Sequence, residues 1–195
     1  MKPMSSTKAG LRDQLLIERQ ALHDHQRLRL DRKICAYMLR YLDDIDALQL
    51  AAFHPFRGEP DLMPAMEALH QAARRIYLPV VNAEQLEFKR WRPGSVLKPN
   101  VFGIPEPVNS DACDLSSLDV VFMPLVAFSS AGERLGMGGG FYDRAFAPFV
   151  NHPGTGPQRI GVAYGFQQID GLPVDAWDVP LDAVITDRGS RVFTY

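Results

Sequence analysis

From residue 8 onward, apolar positions recur at helical spacing. Leu11, Leu15, Leu16 and Leu22 fall on one stripe of a helix beginning at about Lys8, with Ser5, Ser6 and Thr7 as candidate N-caps. Successive helical residues turn by about 100°, so Lys8, Arg12 and Arg19 gather together beside that stripe. A second helix is predicted from about Asp24 to Leu42, with Leu28, Ile34, Met38, Leu39 and Leu42 inward, so that residues 1–42 form an amphipathic helical hairpin. At Leu48 the pattern changes to short apolar runs: LQLAAF (48–53), RIYLPVV (75–81), LDVVFMP (118–124), RIGVAY (159–164) and DAVITD (182–187). Runs this short suit strands buried on both faces. LMPAMEALHQAA and FYDRAFAPFV between them read as helices, and the alternation predicts an α/β sandwich with a mostly parallel sheet and right-handed crossovers. EQLEFKRW (84–91) alternates at period two and is predicted to be an antiparallel strand at the sheet margin.

Composition narrows the class. The 195 residues are 46% apolar and 23% charged, the balance of a globular chain and not of a disordered one, with enough length for one domain. The longest apolar run, Val120 to Phe128, contains Pro124 and falls far short of the about 20 residues of a membrane span. The start, MKPMSSTKAGLRDQLL, has no apolar core of a secretory signal, so no membrane association and a cytoplasmic location are expected. Cys35 and Cys113 stand apart without metal-ligand spacing. Charge is uneven: the net −2 divides into +5 for residues 1–40 and −7 for the rest. The basic residues of the N-terminal part alternate with leucines and carry no aromatic platform, which favours a local anion site over a nucleic-acid partner.

The densest chemical signal is GERLGMGGGFYDR, residues 132–144, between a strand and a helix. Glycines let backbone N–H groups approach an anion, and the helix that follows adds a partial positive charge. The run matches neither GxxxxGK[ST] nor GxGxxG, since Phe141 stands at the third glycine, so a phosphate cradle and a structural glycine turn both remain open. Arg134 is a candidate phosphate clamp, and Asp143 either complements the helix dipole or holds Mg²⁺ against phosphate oxygens. One of Asp175, Asp178, Asp182 and Asp187 could complete such a site. His54 and Glu59 follow the first strand, where open α/β sheets keep their ligands, and Phe102, Phe141 and Tyr142 could stack on a flat heterocycle or simply pack.

These residues form an ordered set: Lys8 and Arg12 in KxxxR, Glu59, LPVV, FGIPEP at 102–107, MPLVAF at 123–128, RLGMGGGFYDR and Asp178. As a set they resemble the 5-formyltetrahydrofolate cyclo-ligase (5,10-methenyltetrahydrofolate synthetase) family, from KAGLR to DAVITD. The resemblance implies a three-layer α/β fold similar to sugar-phosphate isomerases. It also implies an ATP- and Mg²⁺-dependent ring closure of 5-formyltetrahydrofolate to 5,10-methenyltetrahydrofolate through a phosphorylated formyl oxygen, with release of ADP and phosphate. Carried over by position, Lys8, Arg12 and Arg134, Leu135, Gly136, Met137, Gly138, Gly139, Gly140, Phe141 and Tyr142 would bind ATP. His54, Glu59 and Phe102, with Met137 to Phe141, would bind the folate; Asp143 and Asp178 would hold the metal; Arg134 and Asp143 would be catalytic. ATP and the folate would be its partners, with the chain acting as a monomer. Ser129 stands where many members have Asp, Trp177 where many have His, and Gly139 where some have Lys. A sugar-phosphate isomerase and a noncatalytic folate or nucleotide binder are the competing readings.

Overall fold

A computed structural model describes residues 7–150 and 155–194. Helix α1 spans Lys8–Gln20 and α2 spans Asp24–Asp44. Thr7 caps α1, its Oγ1 accepting from Gly10 N at 3.2 Å; Ser5 and Ser6, the other candidate caps, lie outside the described residues.

The chain then runs through β1 (Gln49–Ala51), α3 (Met63–Gln71), β2 (Arg75–Asn82), β3 (Gln85–Trp91), β4 (Leu97–Pro99), β5 (Pro105–Pro107) and β6 (Ala112–Cys113). It continues with β7 (Val120–Pro124), β8 (Ala127–Phe128), β9 (Arg134–Leu135), α4 (Phe141–Val150), β10 (Gln158–Val162), β11 (Ala183–Thr186) and β12 (Gly189–Val192). An eight-stranded sheet takes the order β12-β11-β10-β7-β1-β2-β3-β6. Its centre, β11-β10-β7-β1-β2, is parallel, while β12, β3 and β6 pair antiparallel at the two sides. The period-two segment is therefore an antiparallel strand near the margin, with the two-residue β6 outside it.

Side chains alternate through the sheet as period two requires. Leu50, Ile76, Val120, Phe122, Ile160 and Ile185 join α2 and α3 on one face. Ala51, Tyr77, Val121, Met123 and Val184 join Phe146 of α4 on the other. Both faces are covered, which is why the central runs are continuously apolar.

The N-terminal helix pair buries its stripes in different places. Ile34, Cys35, Met38 and Leu42 of α2 enter the sheet core. Leu11 and Leu15 of α1 instead pack with Val126, Ala127, Leu135 and Leu172, around the β8–β9 hairpin. Leu28, expected inward, is 53% exposed, while Leu30 at the same end of α2 packs against the core. Replacing Leu15 by Ala is expected to cost about 2–5 kcal/mol of unfolding free energy through the cavity left behind. Urea unfolding would measure it, and a change within experimental error would mean that α1 does not dock on this hairpin in solution.

Candidate functional site

The parallel strands, taken in chain order, lie in the doubly wound arrangement 2-1-3-4-5, which reverses direction between β1 and β7. Connections leaving the carboxyl ends of those two strands diverge and open a crevice. A cavity of about 850 Å³ lies there, with Phe53 and His54 after β1 and Pro124 at the end of β7 in its wall. Most of the residues singled out above line it: Lys8, Arg12, His54, Glu59, Phe102, Arg134, Leu135 to Tyr142, Asp143, Asp175 and Asp178. Asp182 and Asp187 do not: Asp182 pairs with Arg159 and Asp187 accepts from Gly165 N at 2.6 Å. A smaller cavity of about 550 Å³ shares Gly138 to Gly140, Asp143, Trp177 and Asp178 with it.

One group of polar residues surrounds the glycine loop. Gly138 and Gly140 have φ of +98° and +66°, the left-handed region that disfavours a side chain. The loop thereby reaches the N-terminus of α4, whose first-turn N–H groups have no intrahelical acceptor. From α1, Arg12 Nε donates to the carbonyl of Gly136 at 2.8 Å and fixes the loop's approach. Lys8 Nζ pairs with Asp175 at 2.6 Å and also with Asp178. Burial works against the charge on Lys8, but these two carboxylates outweigh it and raise the pKa. Arg134 Nη2 donates to Asp143 Oδ1 at 2.5 Å, and the same oxygen accepts from Val179 N at 3.1 Å. The buried Nε of Arg134 has no hydrogen-bond partner among the described residues.

The second group surrounds Glu59, which is only 6% exposed. Its Oε2 accepts from Phe56 N at 3.0 Å, and Oε1 lies 3.8 Å from Arg19 Nη2. Burial pushes the carboxyl up to about 7, opposed by Arg19 and by the Phe56 N–H. Tyr142 Oη and His54 Nδ1, also in the lining, are buried without a hydrogen-bond partner among the described residues. Burial, followed by the nearby Glu59 charge, raises the Tyr142 pKa, which keeps the phenol protonated. Buried polar atoms left unpaired in a cavity wall are expensive, and a polar ligand would satisfy them. Phe102 packs edge-on against Phe141, with ring centroids 6.1 Å apart.

The donor set suits a hard cation that arrives with phosphates. Asp143 Oδ2 and Asp178 Oδ1 accept no hydrogen bond among the described residues, and Mg²⁺ is commonly held by one or two carboxylates together with phosphate oxygens and water. No group of three or more His, Cys, Asp or Glu residues forms a ready-made metal cage among the described residues.

The contacts of several residues escape the sequence reading. Arg19, on the same helical face as Lys8 and Arg12, is buried against the loop that carries Glu59 and does not reach the glycine loop. Asn100 and Glu106 clamp the segment bearing Phe102: Glu106 Oε1 accepts from Asn100 Nδ2 at 2.6 Å and from Val81 N at 2.9 Å. Ser129 closes the β8–β9 turn with its hydroxyl, accepting from Ala131 N at 3.1 Å and Glu133 N at 3.2 Å. Trp177 stands at the cavity rim, 71% exposed.

Known proteins match most of the chain. Residues 4–187 fit the profile of the 5-formyltetrahydrofolate cyclo-ligase family. The chain is 41% identical over 173 residues to 5-formyltetrahydrofolate cyclo-ligase of Escherichia coli K12, covering 86% of this chain and 93% of that protein. It is 36% identical over 166 residues to the enzyme of the same name from Haemophilus influenzae, covering 83% and 86%. The NMR structure of Aquifex aeolicus 5,10-methenyltetrahydrofolate synthetase superposes with a TM-score of 0.84 at 31% identity, over 96% of this chain and 93% of that one. The Mycoplasma pneumoniae synthetase gives 0.75 at 27% identity, over 92% and 98%. The sequence profile, the curated relatives and the fold all point to proteins of one kind, and this chain belongs to the 5-formyltetrahydrofolate cyclo-ligase family.

Proposed function

We propose that this chain closes 5-formyltetrahydrofolate to 5,10-methenyltetrahydrofolate, using ATP and Mg²⁺ and releasing ADP and phosphate. The observation that carries this reading is one cavity that joins a cationic glycine loop to a buried carboxylate, so that a triphosphate and a heterocycle can meet inside it. Glu59 accepts hydrogen bonds from the N–H edge of the pterin, with the Tyr142 hydroxyl and His54 as further polar partners, while Phe102 and Phe141 supply aromatic walls. Lys8, Arg12, Arg134 and the N–H groups at the start of α4 hold the phosphates. Lys8 and Arg134 exchange their carboxylate partners for phosphate oxygens as the nucleotide enters. Asp143 and Asp178 hold the metal ion, which when bound neutralises charge on the phosphate oxygens. One chain supplies every residue named, so we read the working unit as a monomer.

The chemistry follows from the substrate. A formamide oxygen is a poor leaving group, and its attack on the γ-phosphorus, with ADP departing, converts it into a phosphate ester on an iminium carbon. N10 then adds to that carbon, loses its proton, and phosphate leaves with the C–O bond electrons. Phosphoryl transfer depends mainly on alignment and charge neutralisation, so positioned cations suffice without a protein nucleophile. Purified protein mixed with 5-formyltetrahydrofolate, ATP and Mg²⁺ is expected to form the methenyl chromophore, and omission of any one component to abolish it. Folded protein that binds ATP yet forms no chromophore would overturn the reading.

A further inference from the structure

Arg19 is an anomaly on α1. Its side chain is 1% exposed, the largest among the fully buried ones, although it shares a helical face with two residues of the cavity lining. Enclosing a guanidinium is costly unless its donors are used. Nε donates to the carbonyl of Arg57 at 3.1 Å and Nη1 to the carbonyl of Leu125 at 3.0 Å. Nη2 has no hydrogen-bond acceptor among the described residues and faces Glu59 Oε1 at 3.8 Å.

Those contacts converge on one stretch of backbone. Arg57 and Gly58 both have positive φ, +47° and +78°, and a non-glycine residue occupies that region only when its surroundings impose it. Arg19 holds the carbonyl of Arg57; Arg27 of α2 holds the carbonyl of Gly58 at 2.6 Å and that of Arg19 at 2.8 Å. The next residue is Glu59, whose carboxylate would otherwise be buried without a paired cation.

Resting on the reading of this cavity as the folate site, we infer that Arg19 is the positioning residue of Glu59: it holds the strained turn at 57–58 and supplies the paired charge that keeps the carboxylate anionic and aimed at the folate. It does not touch substrate, since no part of it lines the cavity. The other charged and titratable groups around the pair are Arg57 of the same loop, Arg27 of α2, Tyr142 of α4 and Tyr164 after β10.

The test is a double-mutant cycle of Arg19→Met and Arg19→Lys against Glu59→Gln, read as the KM values for 5-formyltetrahydrofolate and for ATP across pH. Loss of a charge-assisted contact predicts that Arg19→Met raises the folate KM about 10- to 100-fold. The KM for ATP should change little, and the rise in folate KM on acidification should begin at a higher pH than in the wild type. Arg19→Lys, which keeps the charge and loses the fork, should recover part of the effect. In the Glu59→Gln background neither substitution should raise the folate KM further, and a variant pair of which only the lysine member folds is judged on that member. An Arg19 effect that persists at full size without the Glu59 charge, or that moves both KM values equally, overturns the inference and makes Arg19 a strut. Wild-type protein that fails to form the methenyl chromophore overturns instead the function on which the inference rests.

Discussion

Asp143→Asn is expected to lower turnover by on the order of 10²–10³-fold, since metal neutralisation of phosphoryl oxygens is worth several kcal/mol in the transition state. The fold should survive. The amide oxygen of the new side chain still accepts from Val179 N and Arg134 Nη2, the two bonds the carboxylate makes here. A second readout separates metal binding from general damage. Removing one negative charge beside Arg134 leaves the loop more cationic, so ADP without Mg²⁺ should bind as well as before or better. ADP with Mg²⁺ should lose the gain that the metal gives the wild type. Calorimetric titration with and without Mg²⁺ checks both. Full turnover, or an equal loss of ADP affinity in both conditions, would remove Asp143 from the metal site.

Glu59→Ala is expected to raise the folate KM about 10- to 100-fold, the cost of losing hydrogen bonds to a buried charge, while leaving the ATP KM within about twofold. Acidity should reveal the same carboxylate in the wild type. With its pKa pushed up to about 7, Glu59 is largely protonated in the free protein below that pH, whereas the N–H edge of a pterin calls for the anion. The folate KM should therefore rise as pH falls through about 7, by about tenfold per unit, and Glu59→Gln should remove that dependence. Stability responds to the same shift. A carboxyl raised from 4.5 to about 7 on folding gives its full stabilising contribution below pH 4.5 and loses it as pH rises through 7. Glu59→Gln should thus gain on the wild type between those limits, by up to about 3 kcal/mol at about 1.4 kcal/mol per unit. Urea unfolding at pH 5 and pH 8 measures the difference, and an equal gap at both pH values would deny the shift.

Much of the architecture was legible before any coordinates. The apolar runs at 48–53, 75–81, 118–124, 159–164 and 182–187 match β1, β2, β7, β10 and β11 to within one residue at the polar ends of β2 and β10, because a strand covered on both faces leaves no polar side to interrupt the run. The glycine loop was legible for a related reason: its conformation is set locally, by positive φ at Gly138 and Gly140. Leu28 was misplaced by the same method, and the burial of Arg19 was not foreseen by it. Periodicity states which residues share a helical face, but it cannot state what covers that face or where along the helix the cover ends.

The sequence by itself determined the five parallel strands and β3, the helices α1 to α4, the glycine turn and the ordered set of residues that places the chain in its family, since each follows from local spacing or residue identity; the short strands β4, β5, β6, β8, β9 and β12 it did not. Only the tertiary structure decided the site as a chemical object. Segments as distant as Lys8, Glu59, Arg134 and Asp178 meet because the order of the parallel strands reverses between β1 and β7 and opens one crevice there. Tertiary structure likewise decided that, of three basic residues on one helical face, two line that crevice and the third is sealed behind Glu59. Burial depends on what packs against a side chain from elsewhere in the chain, and the shift in Glu59 follows from burial.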